Sequence, residues 1–219
     1  DVHFRAFDTS FSVRGQRFDL SLPGRHNLYN ALACIGLLSE MGAAPADIAV
    51  HLPGFSGIER RFDVHLNDGR HLVVDDYAHN PHKISCLMQT VREISDRVCY
   101  VFQPHGYGPT RLMKQGYIET FAAHVRSSDF LVLLPIYYAG GTAQKDISSE
   151  DIIKGIGDVS FNAQAVINRD ELLIKLKADA RPGDCVLLMG ARDPSLPALV
   201  RRIVELFGGE TVPALCQEL

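Results

Sequence analysis

The sequence of 219 residues predicts an α/β fold built on a doubly wound, mainly parallel sheet. Two observations carry this. From about residue 70 onward, apolar runs alternate with segments whose apolar residues recur at steps of three and four. Several of those runs are continuous rather than alternating, which marks strands covered on both faces. Strand, helix, strand repeated in this way requires right-handed crossovers and therefore parallel neighbours.

The strands are expected at 71–75, 97–103, 129–137, 163–167 and 184–190. Between the first two, Ile84, Leu87, Met88 and Val91 share one helical face, with Asn80 suited to the N-cap and Pro81 to the first helical position. Ile118, Phe121, Ala122 and Val125 define the next helix, and Thr110 is a candidate cap for it. Leu196, Leu199, Val200, Ile203, Val204 and Phe207 form the stripe of the last. Residues 1–58 read differently. "VHFRAFDTSFSVRGQRFDLSLPG" alternates like a pair of antiparallel strands turning near Arg14-Gly15, and "HNLYNALACIGLLSEMG" is a helix stopped at Gly42. A hairpin and one or two helices make a thin core, so residues 1–58 are expected to be the trailing end of a larger domain that begins upstream. Residues 59–219 are expected to form the complete sheet domain.

Composition excludes several classes. The chain is 46% hydrophobic and 22% charged with a net charge of −4, an ordinary globular balance without a basic footprint for nucleic acid or anionic lipid. The longest apolar run, "FLVLLPIYYAGG", is too short for a bilayer and is broken by Pro135. Cys34, Cys86, Cys99, Cys185 and Cys216 form no CxxC pair and read as reduced core thiols of a cytoplasmic protein.

In a doubly wound sheet, ligands bind outside the carboxyl ends of the strands. Three polar or glycine-rich segments occupy that place: "DDYAHNP" (75–81), "FQPHGYGPTR" (102–111) and "PIYYAGGT" (135–142). An aspartate there can accept from ribose hydroxyls, and a following helix N-terminus favours anionic groups. Side chains alternate along a strand, so Asp75 and Asp76 are expected to serve different purposes. His79 and His82 stand near the two acids, yet no complete ligand set is visible and no metal is expected in this chain. "GARDPSL" (190–196) reads as a helix start capped by Asp193 or Ser195. Neither GxxxxGK[ST] nor GxGxxG occurs. The adjacent Arg60 and Arg61 are either a solvated pair or phosphate ligands at a domain cleft.

"GRHNLYNALA", "FSGIERRF", "VVDDYAHNP" and "FQPHGYGPTR", in this order, resemble the ATP-dependent Mur ligases of peptidoglycan synthesis, over about residues 20–190. The likeness is greatest to the branch that joins L-alanine to UDP-N-acetylmuramate. It implies the tail of a central ATPase domain followed by a Rossmann-like domain that binds the incoming amino acid. It implies ATP and Mg²⁺ as cofactors, with the phosphate loop and the metal ligands upstream of this chain, so that the fragment alone is inactive. Its partners would be a UDP-N-acetylmuramate-type substrate, an amino acid and the upstream domains, with no nucleic acid or membrane. By the same resemblance Asn27 and Asn30 meet the adenine, Arg61 reaches the phosphates, Asp76 holds the ribose, and His79 and Asn80 line its wall. His105 and Arg111 face the amino acid and the acyl centre, so Arg61, His105 and Arg111 are the implied catalytic residues. The sequence departs from the alanine-adding pattern at Gly106 and Pro109, which stand in arginine slots, and at Gly141, which stands near an acid's. A folylpolyglutamate-synthetase-like ligase and a non-catalytic Rossmann-like nucleotide-binding module are the alternative readings.

Overall fold

The computed structural model describes residues 1–208, and the chain divides into two compact units, Asp1–Glu59 and a second beginning at Arg60. In the first, three antiparallel strands, β1 (Val2–Phe4), β2 (Thr9–Val13) and β3 (Gln16–Leu20), precede helices α1 (Arg25–Glu40) and α2 (Pro45–His51). The expected hairpin is β2–β3. Arg14 and Gly15 both take positive φ, 48° and 84°, which suits a tight turn whose twist matches the strands. β1 was not expected, being only three residues long. α1 ends where Gly42, at φ 96°, lets the Ala43 N–H reach Leu38 O at 2.9 Å.

The second unit contains β4 (Asp63–Asn67), β5 (Leu72–Asp76), α3 (Pro81–Arg92), β6 (Val98–Gln103), α4 (Tyr107–His124) and β7 (Phe130–Leu133). It continues with α5 (Ser149–Ile156), β8 (Asn162–Ala165), α6 (Arg169–Asp179), β9 (Cys185–Gly190) and α7 (Leu196–Leu206). Six strands line up in the order β4-β5-β9-β6-β7-β8, all parallel except β4, which runs antiparallel to β5 at the edge. All five expected strands are present. The run at 129–137 stops early as a strand: Leu134 N still bonds Phe102 O at 2.9 Å, but Pro135 has no N–H to continue the ladder. The run at 163–167 starts a residue sooner and ends at Ala165.

Alternation along the strands sorts the core into two layers. Val74, Tyr100, Phe102, Leu131, Leu187 and Met189 pack beneath α3, α4 and α5 with Ile84, Phe121 and Ile152. Val73, Val101, Val132, Val186 and Leu188 face α6 and α7 with Leu172, Leu199 and Ile203. In α4 the buried stripe runs through Tyr117, Phe121 and Val125, while Ala122, expected on that face, is exposed. Thr110 does not cap α4: the helix starts at Tyr107 behind Gly106, leaving Thr110 buried inside its first turn. Of the cysteines, Cys99 and Cys185 are core thiols, Cys86 is half-buried and Cys34 is exposed, which corrects the expectation for the last two. Cys216 and the tail of the 59–219 assignment lie outside the described residues.

Candidate functional site on the carboxyl rim of the sheet

Because β5, β9, β6, β7 and β8 are parallel, their exits lie on one rim, and the start of the antiparallel β4 lies there too. The three segments expected to meet do so. Gly106 N donates to Tyr137 O and Tyr137 N to Pro104 O, both at 2.8 Å, stitching the β6 exit to the β7 exit. The His79 and His105 rings meet edge-on at 5.3 Å, and Tyr107 meets Tyr138 at 5.2 Å.

The two adjacent aspartates separate as strand alternation requires. Asp75 falls on the α6–α7 side of β5 with Val73, and Asp76 on the α3 side with Val74. Asp75 is fully buried and receives Arg60 Nε at 2.8 Å and Nη2 at 3.3 Å. The same guanidinium donates to Gly190 O at 2.8 Å and lies 5.3 Å from the Tyr77 ring centre. Burial raises the Asp75 carboxyl above the usual range, with Arg60 pulling it back. Arg60 is therefore committed to the fold, and of the arginine pair only Arg61 stays exposed.

Asp76 holds the turn that presents Arg61. Its Oδ2 accepts from Phe62 N at 2.8 Å and its Oδ1 from Ala78 N at 2.7 Å, while Tyr77 N donates to Arg60 O at 2.7 Å. Arg60 and Phe62 both have positive φ, 57° and 53°, a conformation costing roughly 1–2 kcal/mol for a residue with a Cβ. Three hydrogen bonds anchor this strained turn, and Arg61 projects from between its two strained residues. Each Asp76 oxygen keeps a lone pair for a further donor.

Burial pushes the Asp76 carboxyl from 3.8 up to about 6, against the opposing pull of the Phe62 and Ala78 N–H groups. An acid whose pKa rises on folding favours the folded state when protonated. The contribution is complete below about pH 3.8 and lost as the pH climbs through about 6, a difference of roughly 3 kcal/mol. Asp76→Asn, which cannot titrate, should therefore gain stability relative to the wild type as the pH rises across that window. Urea midpoints for both proteins between about pH 4 and pH 7 check this, and a difference that stays constant with pH would refute it.

The remaining expected residues take clear positions. His79 Nδ1 is 2.9 Å from Tyr77 O, so it carries the proton of that hydrogen bond. Asn80 caps α3 by accepting from Lys83 N at 2.9 Å. His105 Nδ1 is buried without a hydrogen-bond partner, and burial, then His79 and Arg192, hold its pKa down. Arg111 forms an exposed ion pair with Asp146 in the segment after β7. His82 is exposed, beside Cys86 Sγ at 3.5 Å. Asn27 and Asn30 sit one turn apart near the start of α1 in the first unit, where Asn27 Nδ2 donates to Pro23 O at 2.8 Å. Among the described residues no cluster of His, Cys, Asp or Glu is placed to hold a metal ion, and no helix is long and apolar enough to cross a membrane.

Sequence reasoning missed Arg192 and Tyr77. "GARDPSL" is the exit of β9, a fourth parallel strand, and the rule that singled out the other three exits applies equally to it. The expected capping is partly realised: Asp193 accepts from Ser195 N at 2.9 Å and pairs with Arg169, while Ser195 itself makes no side-chain cap. Arg192 N lies 3.3 Å from the Tyr77 hydroxyl. Cavities of about 270 and 440 Å³ open beyond β7 and β8, the larger lined by Gln103, Tyr138, Arg169 and Arg202.

Residues 60–192 match the family described as Mur ligase, glutamate ligase domain. A UDP-N-acetylmuramate–L-alanine ligase of Anaeromyxobacter dehalogenans is 37% identical over 207 residues, covering 92% of this chain and 44% of that protein. One from Rhizobium etli is 35% identical over 194 residues, covering 84% and 40%. Among solved structures, UDP-N-acetylmuramate-alanine ligase of Thermotoga maritima superposes with a TM-score of 0.72 at 26% identity, over 95% of this chain and 45% of that one. MurF of Acinetobacter baumannii, at 17% identity and a TM-score of 0.73 over 94% of this chain and 44% of that one, shares the fold. The chain thus spans less than half the length of these relatives. With that domain matched over more than half of its residues, this chain belongs to the Mur ligase family.

Proposed function

We propose that this chain is the C-terminal part of an ATP-dependent, amide-bond-forming ligase of peptidoglycan precursor synthesis, acting in the cytoplasm. Its proposed reaction joins an amino acid, L-alanine first among the candidates, to UDP-N-acetylmuramate. The observation that carries the reading is the rim itself: the strained turn at residues 60–62 leaves Arg61 exposed near Asp76, on the same rim as the His79–His105 pair, where this fold takes ligands. The names of the relatives at 35–37% identity support the same reaction.

In this reading the substrate carboxylate attacks the γ-phosphorus of ATP and ADP leaves. The amino group of the incoming amino acid, having lost a proton, then attacks the acyl carbon and inorganic phosphate leaves. Arg61 offsets charge on the transferring phosphoryl group from its anchored turn. Asp76 accepts from the ribose with its remaining lone pairs, His79 and Asn80 wall that contact, and Asn27 and Asn30 meet the adenine. His105 and Arg111 face the amino acid. Mg²⁺ supplies charge neutralisation on the phosphates, and its ligands, like the phosphate loop, belong to the part of the ligase outside residues 1–219. Residues 1–58 are the trailing part of the central ATP-binding domain, and the unit after them is the amino-acid domain.

The test is phosphate release by the full-length parent protein, scanning amino acids against UDP-muramoyl acceptors. Release that depends on both substrates supports the reading, and its absence with every pair would favour a nucleotide-binding module. The 219-residue chain alone is expected to release no phosphate with any amino acid. Activity from the purified fragment would show that the missing phosphate loop is dispensable.

A further inference from the structure

We propose that Arg192 binds the carboxylate of the incoming amino acid, beside the edge-on imidazoles of His79 and His105. The inference rests on the ligase reading above and adds a residue to it. Its first support is topology. β9 lies between β5 and β6, yet the helix that follows it packs on the opposite face of the sheet from α3 and α4. Chains leaving adjacent strands toward opposite faces open a crevice between them. The exit of β9 has such a crevice on both sides, and Arg192 is its second residue.

Charge supplies the second support. Of the carboxylates on this rim, Asp75 is paired with Arg60 and Asp193 with Arg169, while Asp76 accepts from the Phe62 and Ala78 N–H groups and makes no ion pair with Arg192. Arg111, in the segment expected to face the amino acid, is paired with Asp146. Arg192 is exposed, and its guanidinium makes no ion pair among the described residues. Its backbone is held at φ 66°, where a residue with a Cβ is strained and glycine is not. Strain retained at a cleft points to a functional side chain.

The occupant follows from what the rim offers. A phosphate commonly draws on the free N–H groups of a helix N-terminus. On the two exits that flank Arg192 most directly, Asp193 accepts from Ser195 N just before α7 and Asn80 from Lys83 N at the start of α3, so that among these three helices only α4, at the β6 exit, begins with neither. A guanidinium fork needs no such N–H groups to hold a carboxylate with two parallel bonds. Burial, and then His79 and Arg192, lower the His105 pKa, which favours a neutral imidazole beside the guanidinium.

The test uses the full-length parent carrying Arg192→Gly, a substitution that suits the positive φ and should leave the thermal midpoint unchanged or raised. With the amino acid that supports phosphate release, its KM should rise about tenfold to a hundredfold, the usual consequence of losing a charge-assisted contact. The KM for ATP should stay within about twofold. Arg192→Lys should recover part of the loss. Wild type should prefer the amino acid over its carboxamide, and Arg192→Gly should not. An unchanged amino-acid KM in an active parent would overturn the assignment of Arg192 while leaving the ligase reading intact. So would inorganic phosphate competing with ATP in the wild type but not in Arg192→Gly. A wild-type parent that releases no phosphate with any amino acid would remove both.

Discussion

Asp75→Ala is expected to destabilise the second unit by about 3–5 kcal/mol, the usual cost of removing one partner of a buried ion pair. The carboxylate is fully buried and takes both prongs of Arg60, whose side chain is itself only 11% exposed. Without it the guanidinium keeps Gly190 O and the Tyr77 face but has no counter-charge. Arg60→Ala should cost a comparable amount, because it strands a carboxyl that burial already pushes upward. Replacing both together by apolar residues should cost much less than the two single losses added, since no charge is left unpaired. Urea unfolding of the single and double variants measures this. A loss below about 1 kcal/mol for Asp75→Ala would mean that the pair behaves as a solvated surface bridge.

Asp76→Ala should act on nucleotide binding. In the full-length parent its KM for ATP is expected to rise about tenfold to a hundredfold, the equivalent of roughly 1.5–3 kcal/mol for one charge-assisted hydrogen bond. Asp75→Ala should change that KM far less. Asp76 also anchors the turn that presents Arg61, so two routes lead to the same loss. A nucleotide lacking the ribose hydroxyls separates them. If Asp76 meets the ribose, removing the hydroxyls should weaken the wild type but add little to the variant, as for any pair of changes to one contact. If removing the hydroxyls weakens variant and wild type equally, Asp76 works only by holding the turn. Should Asp75→Ala prove to be the variant that loses ATP affinity, the two aspartates have been assigned in the wrong register.

Both predictions turn on how far a local pattern reaches. The sheet was legible because burial on both faces leaves a strand no polar option: Val98–Phe102 and Cys185–Met189 contain no charged residue. The start of α3 was legible because Asn80 and Pro81 do chemistry within one turn of themselves. β4 was not, since an edge strand has one neighbour and "DVHLN" carries polar residues accordingly. α5 was missed at eight residues, and α6 because Ile174, which looks like a core residue, is exposed while Leu172 and Leu176 carry the packing. Thr110 misled because a cap is defined by where the helix begins, and Gly106 at positive φ starts it earlier.

The sequence by itself determined the strand and helix alternation, the hairpin turn, the opposition of Asp75 to Asp76 and the gathering of three loops on one rim. These follow from side-chain periodicity and from the rule that parallel strands share an exit side. Only the tertiary structure decided which acid met which partner. Arg60 reaches Asp75 across 15 positions, and Gly190 O across 130. It also decided that β9, nearly last in sequence, inserts between β5 and β6 and brings Arg192 to the centre of the rim. Strand order is set by packing two helical layers against a whole sheet, a property of the assembled core that no local window of residues contains.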